Sequence, residues 1–138
     1  MTTYFIDTAV IMFAAGADHV LRDPCARVLR AHAERQIDAV TSVEVVQEIL
    51  HRFSRGDRSI GDRMAKATLK AFEPVLPVDH GLVDHARRLM NDTPGLHARD
   101  AVHVATCLVN NIRHIVSPDT DFDGVPGVAR VDPREWRT

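Results

Sequence analysis

Aromatic residues are scarce in this chain: five Phe, one Trp and one Tyr make up 5% of the 138 residues. Its core must therefore be built from aliphatic side chains. Cysteine is scarcer still, with only Cys25 and Cys107 and no Cys-x-x-Cys spacing. This excludes a disulfide scaffold and a cysteine zinc cluster, and predicts two buried thiols in a reduced, cytoplasmic protein. No apolar run approaches the roughly 18 residues that a membrane helix requires, so no membrane partner is expected. The amino-terminal residues lack a basic segment followed by a long apolar one, so no secretory leader is expected either. An excess of positive charge is missing too. The formal net charge is −2, and any polyanion would have to be held by a local basic patch or a bound cation. Phosphate-loop, dinucleotide, nucleophile-elbow and zincin signatures do not occur, which removes the chemistries that depend on them.

What is present is an ordinary globular composition, 45% hydrophobic and 26% charged, long enough for one domain spanning residues 1–138. Thr3-Tyr4-Phe5-Ile6 is β-prone and ends at Asp7-Thr8, with a short apolar helix behind it. Asp7 thus either caps that helix or lies in the ligand crevice beyond a strand's carboxyl end. A second helix opens at Asp18 or at Asp23-Pro24. Residues 37–40 form a second strand, and Thr41 with Glu44 spells a capping box for a third helix. On that helix Val43, Val46, Leu50 and Phe53 form an apolar stripe, and Glu48 either pairs with Arg52 one turn on or has a role in chemistry. Arg52, Arg55, Arg58, Arg63, Lys66 and Lys70 make a basic run, read as a solvated face or a phosphate-tracking patch. Residues 75–78 read as a short strand hemmed by prolines. Asp79 caps a fifth helix, and a long helix from Leu96 or His97 carries Asp100 near its start. His103 lies one turn further on, where a packed or surface histidine is the ordinary expectation. Residues 113–116 and 128–131 complete the strands. Strands alternating with helices predict a three-layer α/β/α sandwich on a mainly parallel sheet of about five short strands.

The acidic residues decide what such a fold could do. Asp119-Thr120-Asp121-Phe122-Asp123-Gly124 begins like an EF-hand loop, but the twelfth position counted from Asp119 is Arg130, where a bidentate Glu is needed. Unlinked carboxylates about 4 Å apart cost roughly 4 kcal/mol per contact at an effective dielectric near 20, so an acidic cluster asks for a cation. Asp7, Glu48, Asp100, Asp119 and Asp121 all stand at the ends of predicted elements, where adjacent parallel strands could bring them to one edge. An all-oxygen anionic site suits Mg²⁺ or Mn²⁺.

Four stretches in order, Ile6-Asp7-Thr8, Thr41-Ser42 leading to Glu48-Ile49-Leu50, Ala98 through Ala105, and Ile115 through Asp123, resemble the PIN-domain ribonucleases of the VapC toxin type over nearly the whole length. The resemblance implies a PIN-like fold and a Mg²⁺- or Mn²⁺-dependent endoribonuclease, the toxin of a type II toxin–antitoxin pair. It implies Asp7, Glu48, Asp100 and Asp119 as catalytic residues and Asp7, Asp100, Asp119 and Asp121 as metal ligands. Thr8, Arg52 and Arg99 are expected to hold substrate, and Asp123 to serve only as a turn residue. Expected partners are RNA, a cognate antitoxin seated in a groove between the early helices, and a second copy of the chain. Ala9 departs from the family, which often has Ser or Asn there, and leaves Asp7 one hydrogen bond short of the pattern. The alternative is a non-catalytic Ca²⁺- or partner-binding module using the 119–123 loop.

Overall fold

A computed structural model describes residues 2–137. Four short strands, β1 (Thr3–Ile6), β2 (Asp38–Val40), β3 (His114–Val116) and β4 (Ala129–Val131), form one sheet in the order β2-β1-β3-β4. Every pairing is parallel. Parallel neighbours need crossovers: the helices α1 (Thr8–Ala15), α2 (Arg22–Ala33), α3 (Val43–Phe53), α4 (Arg58–Ala71), α5 (His80–Asp92) and α6 (Ala98–Val109) supply those among β1, β2 and β3, and a loop with the 3₁₀ turn Thr120–Phe122 carries the chain from β3 to β4. The central strands explain why both faces are covered. Phe5, Ile6, Ile115 and Val116 are each 0% exposed, although neighbours in a strand point to opposite faces. Burying side chains of this size contributes about 1.5–3 kcal/mol each.

The sheet has four strands where five were expected, because residues 75–78 make only a single bridge. Leu76 N donates to Thr41 O and Val43 N donates to Leu76 O, both at 2.9 Å, and the pairing goes no further. Pro74 and Pro77, on either side, have no N–H to extend it.

The start of α3 also differs from expectation. Ser42, not Thr41, is its N-cap and accepts from Val45 N at 3.4 Å. Thr41 is fully buried and donates its hydroxyl to Ile6 O at 2.8 Å, tying the start of α3 to the end of β1. The buried face of α3 is Val45, Val46 and Ile49, whereas Val43 and Leu50 are 40% and 47% exposed. The helix is rotated from the expected stripe, in the orientation that brings Glu48 to His103. Helix α2 starts at Arg22 behind Leu21, which offers no side-chain cap, and Asp23 lies within its first turn.

Because all four strands run the same way, their carboxyl ends share one edge. Asp7 follows β1, Thr41-Ser42 follows β2 and Ser117-Pro118-Asp119 follows β3. Ligands in open α/β sheets bind beyond this edge.

Candidate active site

Asp7 caps α1 and also stands at the sheet edge beyond the carboxyl end of β1. One carboxylate oxygen accepts from Thr8 N at 2.8 Å and caps α1, and the other accepts from the Ser117 hydroxyl at 2.7 Å. Ser117, the first residue after β3, thus gives Asp7 a side-chain donor that Ala9 cannot. Burial pushes the Asp7 carboxyl upward, with His103 and the Ser117 hydrogen bond opposing.

Glu48 makes no ion pair with Arg52; its Oε1 lies 2.6 Å from His103 Nε2. His103 is 0% exposed and also stands 3.6 Å from Asp7 Oδ1. Burial alone would raise the Glu48 carboxyl, but the hydrogen bond and charge of His103 outweigh it, and the net shift is downward. For His103, burial disfavours the cation; the Glu48 hydrogen bond and the Asp7 and Glu48 charges overcome this and hold its pKa above the usual value. The Thr8 hydroxyl is buried and lies close enough to favour the Glu48 anion, yet completes no hydrogen bond of good geometry. Arg99, exposed in the first turn of α6, adds a weaker attraction for Glu48.

Asp100 faces the same edge from the start of α6. Its pKa is pushed up to about 6, first by burial and then by the charges of Asp119, Asp7 and Asp121. Asp119 caps the 3₁₀ turn Thr120–Phe122, accepting from Asp121 N at 2.9 Å, and its own N–H donates to Ser117 Oγ at 3.0 Å. Phe122, 0% exposed, anchors this turn in the core. His97, the N-cap residue of α6, has its ring beside Asp100 and Asp121: one ligand atom from each of the three lies within 4.8 Å of the others.

Asp7, Glu48, Asp100, Asp119 and Asp121 therefore meet, as expected from their order in the chain. Asp123 does not join them. Arg130 Nε donates to its carboxylate at 2.7 Å and Arg130 Nη1 to Ser117 O at 3.1 Å. The residue that displaces the EF-hand glutamate thus also pairs with the third carboxylate. From the sequence His103 was expected to be only a packed or surface histidine, and His97 and Ser117 carried no expected role. The Asp100-x-x-His103 spacing was the only signal for His103, since it sets both residues on one side of a helix. Arg52 is exposed and is not among the groups that surround Glu48.

The donor set fits a divalent cation. Carboxylates from separate segments raise one another's pKa instead of being paired off by Lys or Arg, which is the condition an oxygen-ligated ion relieves. The orphaned buried hydroxyl of Thr8 points the same way, since such a group ordinarily has a partner.

The PIN domain profile matches residues 4–128. Ribonuclease VapC23 of Mycobacterium tuberculosis is 37% identical over 115 residues, which cover 83% of this chain and 91% of that one. Among solved structures, VapBC2 from Rickettsia felis bound to a promoter DNA fragment matches with a TM-score of 0.75 at 13% identity, over 95% of this chain and 98% of that chain. A toxin–antitoxin complex from Klebsiella pneumoniae matches with a TM-score of 0.69 at 16% identity, over 94% and 97%. At those identities the structures speak for the fold alone, while the family profile and the 37% relative speak for descent. The chain belongs to the VapC family of PIN-domain proteins.

Proposed function

We propose that this chain is a Mg²⁺- or Mn²⁺-dependent endoribonuclease, the toxin of a toxin–antitoxin pair, acting at the edge where Asp7, Glu48, Asp100 and Asp119 meet. The observation that carries the reading is the convergence on Asp100, whose carboxyl is raised to about 6 by burial and by Asp119, Asp7 and Asp121. The name of the 37% relative, a ribonuclease, supports the substrate class.

Bound among these carboxylates, a divalent ion supplies a polarised water and offsets charge on the scissile phosphate and the leaving 3′-oxygen. Asp7, Asp100, Asp119 and Asp121 are the residues that hold it. Asp7 is fixed by Thr8 N and Ser117 Oγ, so its oxygens need no reorganisation to face a ligand. Glu48, kept ionised and oriented by His103, is the group that accepts a proton from the attacking water. Thr8 is too deeply buried, at 5% exposed, to meet an RNA backbone, and its hydroxyl orients a water inside the site. Arg99 at the mouth, with Arg52 and the exposed cations through Lys70, positions RNA phosphates.

Between α1, α2 and α4 runs an apolar groove of about 660 Å³, lined by Ile11, Ala15, Leu29, Met64, Ala67 and Phe72 among others. It is where we place the apolar face of an antitoxin helix. The homodimer implied by the family likeness has no assigned surface.

The direct test incubates the purified chain and Asp7→Asn with structured and single-stranded RNAs, in Mg²⁺ or in EDTA. Cleavage by the parent chain in Mg²⁺ alone is the expected outcome. Cleavage that survives both EDTA and Asp7→Asn refutes the reading.

A further inference from the structure

The apolar groove has walls of unlike charge. On the α2 side Arg22 is already held by Asp18 at 3.6 Å and by Asp23 at 3.9 Å. On the α4 side Ile60, Met64, Ala67 and Ala71 face the groove, and Arg63, Lys66 and Lys70 stand beside them in one exposed row, at i, i+3 and i+7. Arg63 itself lines the groove. We propose that the groove takes a helix with carboxylates along the flank that faces α4, and that these carboxylates engage the same three cations as RNA phosphates, so that a filled groove releases RNA. This rests on the partner and substrate readings above and specifies the partner's charge and how it regulates RNA binding.

The three cations are open to an incoming anion. Asp62 is the only acid on α4, and among the described residues the ion pairs to Lys and Arg join other groups. Arg63 adds only a weak attraction to Asp57, whose carboxylate already caps α4 at Ser59 N and Ile60 N. A helix with a neutral flank would cover the apolar floor and leave this row without counter-charge, and a basic one would be repelled. Opposite charge along the row also fixes which way round the helix lies.

The groove is held open at a fixed width. His32 Nε2 donates to Ala71 O at 2.7 Å, and its ring stacks on Phe72 with centroids 4.3 Å apart and planes 3° from parallel. These contacts tie the carboxyl end of α2 to that of α4 and close the groove there. From Ile60 to Ala71 the helix rises about 16 Å, so the occupant is about three turns long, with apolar residues at i, i+3 or i+4, and i+7. A row of three cations cannot neutralise an acidic helix and a phosphate backbone together. The bound helix therefore repels RNA from the stretch between Arg63 and Lys70.

The test is fluorescence anisotropy on the full chain in EDTA, which keeps RNA intact. The probes are a helical peptide of about 14 residues with a leucine face and three Glu on one flank, its Gln counterpart, and a single-stranded RNA. The Glu peptide should bind about tenfold tighter than the Gln peptide near 50 mM salt, with the gap closing near 500 mM. At saturation it should weaken RNA binding about tenfold. Replacing Arg63, Lys66 and Lys70 together by Gln changes only exposed side chains; it should erase the difference between the peptides and weaken RNA binding. Equal binding of the two peptides, or RNA binding unchanged by saturating Glu peptide, overturns the inference and leaves the groove as a docking site. No binding of either peptide, or binding indifferent to Ala67→Asp, overturns the docking site and the inference with it.

Discussion

Asp100 is the residue on which the other carboxylates act, and its raised pKa makes function and stability oppose each other. A carboxyl whose folded pKa exceeds its unfolded value contributes its stability in full below about pH 4 and loses it as pH rises through about 6. His103, held above its usual value, adds to the same trend. The metal-free chain should therefore melt at a higher temperature at pH 5 than at pH 7.5. Added Mg²⁺ should stabilise more at pH 7.5, where Asp100 has released its proton. Thermal melts in EDTA and in Mg²⁺ across that window check both slopes. Asp100→Asn should raise the stability of the metal-free chain at pH 7.5 by roughly 1–2 kcal/mol while abolishing cleavage. Asp7 and Asp100 were legible in the sequence because each stands at an element end, within a spelling that matches a family. The work of His103 was not legible, because its partner Glu48 is 55 positions away and only the packing of α3 against α6 brings them together. His97 was hidden for a similar reason, since Asp121, which comes beside it, follows β3 later in the chain.

At the scale of elements, the short turn after β3 shows how a few residues divide the work. Asp119 caps it, Phe122 anchors it, and Asp123 is held outside the site by Arg130. Replacing Phe122 by Ala should cost about 3–5 kcal/mol in denaturant unfolding and release Asp119 and Asp121 together. Asp123→Asn, which weakens a pair more than half exposed on its acidic side, should cost under about 1 kcal/mol. Thr41→Val removes a buried hydrogen bond to Ile6 O and should cost about 1 kcal/mol, with a larger fall in cleavage if the end of β1 then shifts Asp7. Element types were largely readable from periodicity and caps: Asp79 caps as expected, and Asp7 caps as one of its two readings had it. Residues 75–78 misled because their apolar spelling says strand, while the missing N–H groups of two prolines limit the pairing to one residue. The buried face of α3 misled because Val43 and Leu50 fit a helical stripe as well as Val45 and Ile49 do. Only tertiary packing chooses between the two faces.

For the molecule as a whole, the parallel sheet is what turns scattered acids into one centre. Four strands ending at one edge deliver Asp7 and Asp119 directly, while α3 and α6 bring Glu48 and Asp100 to them. The apolar groove of α1, α2 and α4 is a separate surface, in which alanines lie among larger side chains such as Leu29, Met64 and Phe72. A charge placed there, Ala67→Asp, should weaken protection by a co-expressed antitoxin, read as lost co-purification and renewed growth arrest. Among the described residues no helix is long and apolar enough to cross a membrane. The central claim is that water, activated at this acidic edge, attacks the phosphorus and expels the 3′-oxygen. Mass spectrometry of the ends left on a short RNA tests it most directly. A 5′-phosphate and a 3′-hydroxyl, formed in Mg²⁺ and absent with Asp100→Asn, are the predicted result; a 2′,3′-cyclic phosphate, the mark of attack by the RNA's own 2′-hydroxyl, would contradict it.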